Sequence, residues 1–204
     1  MVQQLINTLL QLLAFAFIPF LVYVIRYKTV TGFLDYIGLK NSTRKANLIA
    51  LMLSIIPMIP FLMFIDNEAF LAIMKDPKTV TGKLAQMGVG VEAGGTLLLI
   101  ALVKTSFTEE ILFRGFVAKR LAAWLGFKAG NFVQALLFGA IHLVFFLEIT
   151  SQVLQLALAF ILPTAFAYII FIVNEKQANG SIIPGWIAHA MGNLVAYTTV
   201  CFLV

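Results

Sequence analysis

From Leu5 to Ile25 the chain carries no charged side chain, and an apolar run of that length crosses a bilayer as a helix. Further runs follow at Asn47 to Ile65, Val91 to about Trp124, Asn131 to Leu147, Val153 to Val173 and Ile182 to Val204. Composition agrees: 61% of the 204 residues are hydrophobic and 11% are charged, against roughly 45–50% and 25% in soluble domains. The expected fold is an all-α polytopic transmembrane helical bundle of about six spans. Residues 1–204 form a single integral membrane domain with interfacial helical pieces in its loops. Phe33 to Ile37 is one such piece, and surface-lying pieces are expected between Asp66 and Gly90, where Asp76-Pro77 and Thr81-Gly82 interrupt the chain. Pro19 is expected to kink the first span, and Pro57 with Pro60 to bend or break the second.

The net charge of +5 does not point to nucleic acid, because the basic residues sit in short loops between apolar runs, where they meet anionic headgroups. Arg26, Lys28, Lys40, Arg44, Lys45, Lys119, Arg120, Lys128 and Lys176 fall on one side of a six-span arrangement, and only Lys75, Lys78 and Lys83 on the other. The positive-inside rule then places both termini away from the cytoplasm. The single cysteine, Cys201, excludes an internal disulfide or thiolate metal site. The last four residues match a prenylation pattern loosely, but they continue an apolar helix and are not expected to form a free tail, and the N-terminal run reads as a retained span.

Within Val91 to Trp124 stands Thr108-Glu109-Glu110-Ile111-Leu112-Phe113-Arg114-Gly115. A charge at the centre of a spanning helix costs roughly 2.5–3.5 kcal/mol on insertion scales, so charges there face a polar interior. Glu110 and Arg114 share a helix face in the favourable acid-before-base order. Glu109, about 100° round the helix, is freer to act as a base. His142 follows Phe138 by one turn in the fourth run, and His189 and Asn193 lie on one face of the last. Counting 1.5 Å per residue from the run ends places Glu109, His142, His189 and Asn193 near one layer, toward the cytoplasmic half.

These residue types suit attack of water on a peptide carbonyl. A buried Glu takes a proton from water and a neighbouring His orients it. Asn193 and the second His are donors suited to a developing oxyanion. Ser106 and Cys201 are weaker candidates for a covalent nucleophile.

The three segments Glu109-Glu110 with Arg114, Phe138 with His142, and His189 with Asn193 resemble the signature motifs of the CPBP (CAAX protease and bacteriocin-processing, or Abi) family of intramembrane proteases, which includes the type II CAAX prenyl endopeptidases. The resemblance is clearest over residues 104–193, and Tyr36-Ile37-Gly38-Leu39-Lys40 is similar to a segment upstream in bacterial members. It implies that Glu109 activates water with His142, that His189 and Asn193 stabilise the oxyanion, and that Glu110, Arg114 and Phe138 support the site. Zinc is the candidate cofactor, with Glu109, His142 and His189 as ligands by type, yet the paired-histidine helix motif of soluble zinc proteases is absent. A metal-free glutamate mechanism is therefore the expectation.

Membrane lipids and a peptide or lipid-modified protein substrate are the expected partners, in a bacterial cell membrane. A leader or signalling peptide suits such a compact chain better than a prenylated one. A non-enzymatic scaffold or bacteriocin-immunity protein using the same cavity for binding is the competing function. A proton-coupled transporter is a third, without the paired discontinuous segments such folds carry.

Overall fold

The computed structural model describes residues 2–203, with Pro60 and Phe61 described by their backbone alone. No strand occurs among the described residues. Among the described residues, four helical stretches are long and apolar enough to cross a membrane: Val2–Tyr27, Phe127–Leu147, Val153–Gln177 and Ile183–Leu203. Large apolar side chains such as Leu13, Val144 and Leu154 face outward from them, as lipid contact allows, since acyl chains are as apolar as leucine. The protein is an integral membrane protein.

Helix α1 (Val2–Tyr27) is followed by the one-turn α2 (Phe33–Tyr36). The second apolar run divides into α3 (Arg44–Leu53) and α4 (Ile55–Met63) at Ser54. Pro57 causes that division, because its ring clashes with the carbonyl of Leu53 and leaves it without an N–H partner. Thr43 starts α3 by accepting a hydrogen bond from the Ala46 N–H at 3.1 Å.

Between residues 66 and 90 lie α5 (Glu68–Lys75) and α6 (Val80–Ala85), capped by the side chains of Asn67 and Thr79. These pieces do not simply lie on the surface as expected. Lys75, Lys78 and Lys83 are exposed, but Phe70, Met74 and Leu84 are buried in one cluster with Phe64, Phe146, Tyr197 and Val200. The Phe64 ring stands 4.7 Å from that of Phe146 and 5.8 Å from that of Phe70. Amphipathic helices of this kind bury whichever face has apolar partners, and here the partners are the ends of two long helices.

The third apolar run is one continuous rod. It begins as α7 (Val91–Leu98), widens into π turns over Leu99–Phe107, passes through Thr108 and Glu109, widens again over Glu110–Ala118, and ends as α8 (Lys119–Leu125). π turns bond each N–H to the carbonyl five residues back; they are rare and concentrate at functional sites. Gly126, with φ 81°, turns the chain into α9 (Phe127–Leu147). Helix α9 packs on α10 (Val153–Ile172), where Gln134 and Asn131 donate to the carbonyls of Ala167 and Tyr168 at 3.0 and 3.1 Å.

A π turn (Val173–Gln177) and a tight turn at Asn179-Gly180 lead into α11 (Ile183–Thr198). The segment after α2 anchors this entry. Gly38 accepts from the Ile182 N–H at 2.9 Å, and the Ser181 hydroxyl donates to the Lys40 carbonyl at 2.6 Å. Lys119 bridges Glu175 and the carbonyl of Gly180. The start of α11, and with it the height of His189, is thereby fixed. Val204, the expected end of the last span, lies outside the described residues.

Candidate active site

Glu109 and Glu110 are neighbours in sequence and occupy different environments, as the angular step between successive helical residues requires. Glu110 is fully buried and its Oε1 stands 3.2 Å from Arg114 Nη1. Glu109 is 29% exposed at its side chain and lines a cavity of about 540 Å³. The buried pair is enclosed by aromatic rings: the Arg114 guanidinium lies 3.9 Å from the Phe138 ring centre and 5.6 Å from that of Phe166. Such stacking stabilises a desolvated cation.

His189 joins the two carboxylates. Its Nδ1 stands 3.3 Å from Glu110 Oε1 and its Nε2 3.9 Å from Glu109 Oε2. Gly185, one turn earlier on α11, lets this approach happen, since a methyl there would lie 2.9 Å from Asn174 Nδ2 and closer still to Glu110 Oε2. The Asn174 side chain accepts the Gly185 N–H at 3.0 Å and so caps α11 from a neighbouring segment. Glu110 consequently sits against the positive end of that helix, which favours a carboxylate.

His142 reaches the cavity from α9. Its Nδ1 lies 2.9 Å from the Phe138 carbonyl. A carbonyl only accepts, so Nδ1 bears the hydrogen and the neutral ring presents the Nε2 lone pair.

Asn193 also lines the cavity. Its Nδ2 donates to the hydroxyls of Thr105 at 3.0 Å and Ser106 at 3.1 Å. These two contacts engage both of its amide N–H bonds. Ser106, weighed as a nucleophile, is fully buried; its hydroxyl donates to the Ala101 carbonyl at 2.6 Å and does not line the cavity. The Cys201 thiol donates to the Thr81 carbonyl at 3.4 Å and is likewise absent from the lining.

Glu109, His142 and His189 all open on the cavity, but no group of three or more His, Cys, Asp or Glu side chains suited to a metal ion occurs among the described residues.

The family model of the type II CAAX prenyl endopeptidases, Rce1-like, matches residues 93–195. The chain belongs to this Rce1-like family. It is accordingly an intramembrane protease of the CAAX type. No curated protein and no solved structure matches it. In this Rce1-like chain the matched stretch contains Glu109, Glu110, Arg114, Phe138, His142, His189 and Asn193. Nine residues of the cavity lining come from outside that stretch: Phe15, Pro57, Phe70, Ile73, Met74, Thr79, Val80 and Thr81 precede it and Tyr197 follows it.

Sequence reasoning passed over Thr105, Phe166, Asn174 and Trp186. Trp186 Nε1–H donates to the Leu102 carbonyl at 2.6 Å, tying α11 to the widened rod. A signal for it existed, because an indole N–H inside a span needs a partner.

Proposed function

We propose that Glu109 is the general base of a water-dependent peptide hydrolysis. The observation that carries this reading is one part-exposed carboxylate opening on a largely apolar cavity, beside a buried carboxylate already matched to Arg114. Arg114 faces Glu110 and the His189 ring lies within reach of both carboxylates, so each buried acid has a partner in the low-dielectric interior.

In the forward step Glu109 takes one proton from water while the His142 Nε2 lone pair accepts the other O–H hydrogen and orients the oxygen. The water oxygen bonds to the carbonyl carbon, and the His189 Nε2–H donates to the resulting oxyanion. Glu109 then returns its proton to the amide nitrogen and the C–N bond breaks to a carboxylic acid and an amine; the acid passes its proton to the amine, and the two leave as carboxylate and ammonium. Glu110 and Arg114 hold His189 in place, and Phe138 shields the guanidinium.

The substrate in this proposal is a membrane-associated peptide or the lipid-modified C-terminus of a protein, which the apolar lining accommodates. In this proposal the cavity opens toward the cytoplasmic half and both termini lie on the opposite side, a reading that the basic loops support. Purified wild type and Glu109→Gln, reconstituted in liposomes, are incubated with a prenylated CAAX peptide and with an unprenylated transmembrane peptide. Mass spectrometry is expected to find a cleavage product with wild type and none with the variant. Cleavage retained by Glu109→Gln overturns the reading.

A further inference from the structure

Helix α1 buries the smallest share of its residues among the four spans, and lipid covers the side it leaves open. On that side lies a groove of about 490 Å³, lined by Leu13, Ala14, Ala16, Phe17 and Phe20 of α1 and by Phe33 of α2. The two alanines leave space between larger side chains. Phe33 stands at the Phe20 end, the two ring centres 5.1 Å apart. From there the aromatic contacts continue: Phe33 to Tyr23 at 5.8 Å, Tyr23 to Tyr36 at 4.7 Å and Tyr36 to Tyr27 at 5.7 Å between ring centres. Clustered tyrosines of this kind belong at the headgroup level. Two arginines lie on these rings. The Arg120 guanidinium is 3.7 Å from the Tyr36 ring centre and its Nη2 donates to the Tyr36 carbonyl at 3.3 Å, while Arg26 is 5.5 Å from the ring centre of Tyr27.

The charges around this cluster do not cancel. Asp35 is taken by Lys40 at 3.7 Å and Glu175 by Lys119. Among the described residues neither Arg120 nor Arg26 has a carboxylate partner, and Nε and Nη1 of Arg120 are neither hydrogen-bonded nor buried. A guanidinium held flat on a ring with a free edge suits a phosphate, which it can grip through two N–H bonds. We propose that the groove and Arg120 form a site for one anionic glycerophospholipid, with an acyl chain in the groove and the phosphate on Arg120. A second copy of the chain, packed in parallel on the same groove, would set its own Arg26 and Arg120 beside these two, like charge against like charge. The lipid instead neutralises them. It spans α1, α2 and the rod that carries both Arg120 and Glu109, segments that otherwise meet through the small cluster of Ile37, Ile111 and Ile182. The site shares no lining residue with the cavity around Glu109 and does not depend on the proposed peptide hydrolysis.

The test titrates the purified full chain in detergent with phosphatidylglycerol or phosphatidylcholine of identical acyl chains and counts bound lipid by native mass spectrometry. A volatile salt at about 0.15 M screens charges more than about 8 Å apart. Wild type is expected to hold one phosphatidylglycerol about tenfold more tightly than phosphatidylcholine, the scale of one charge-assisted hydrogen-bonded contact. Arg120→Gln removes that preference and leaves weak binding of both lipids. Ala14→Trp fills the groove from an exposed position and weakens both lipids about tenfold, the scale of two methylenes left unburied. Arg44→Gln, exposed on α3, which lines no part of the groove, changes the preference by less than about twofold. Equal affinity of wild type for the two lipids overturns the proposal. So does an equal loss of preference in Arg44→Gln and Arg120→Gln, which would reduce the effect to general surface charge. Undiminished binding by Ala14→Trp overturns it as well, and that variant decides the matter if Arg120→Gln does not fold. A lipid-free dimer that Ala14→Trp returns to a monomer would assign the groove to a second copy and overturn the lipid site.

Discussion

The cavity has a polar part and an apolar part, and they are built on different principles. The polar part, Glu109, His142, His189 and Asn193, lies within residues 93–195 and is held by directed contacts: an ion pair, a ring stacked on a guanidinium, a backbone carbonyl on a histidine. The apolar part contributed by Phe70, Ile73, Met74 and Val80 lies outside that stretch and is held by packing of α5 and α6 on the ends of α9 and α11. Directed contacts fail when one partner changes. Packing tolerates a change of shape. The first part is therefore suited to fixed chemistry and the second to choosing what enters.

The largest effect is expected where the directed contacts are densest. Arg114→Leu leaves Glu110 as an uncompensated buried charge, a loss of about 3–5 kcal/mol. Thermal unfolding in detergent should show it as a large drop in Tm. An unchanged Tm would mean that the pair does not hold the polar part together. Gly185→Ala comes next: its methyl intrudes on Glu110 and Asn174, an overpacking cost of about 1–3 kcal/mol. Activity should fall more than stability, because the side chains displaced are those that hold His189. The smallest effect belongs to the apolar part. Met74→Trp adds bulk where Met74 lines the cavity, and should change the preference between a bulky and a small residue near the cleaved bond by about tenfold. Because Met74 is also packed in a buried cluster, Tm should fall, but by less than in Arg114→Leu, and loss of cleavage for every peptide alike would break the comparison.

The pairing of Glu110 with Arg114 was legible in the sequence because helical spacing is a local rule, and the same holds for His189 and Asn193 on one face of α11. The pairing of the Asn193 amide with Thr105 and Ser106 was not. It depends on hydroxyl groups bonding five residues back, and nothing in Leu99–Phe107, which contains neither Gly nor Pro, announces a widened helix. Prolines marked the break in the second apolar run, but it falls at Ser54 because the ring of Pro57 acts on the carbonyl four residues earlier. The inward faces of α5 and α6 were hidden by three lysines, and only the tertiary partners Phe64, Phe146 and Val200 decide that Phe70, Met74 and Leu84 turn away from them. What was legible was local, or carried by charges too costly to be there by chance. What was not depends on long-range contacts between segments.

The most direct test of this division measures kcat and KM for Glu109→Gln and Met74→Trp on one peptide, in liposomes, with folding checked for both. Glu109→Gln is expected to lower kcat by about 10²–10⁴-fold, the range of general acid–base catalysis, with KM nearly unchanged. Met74→Trp is expected to move KM and leave kcat nearly intact. Full kcat in Glu109→Gln would contradict the account.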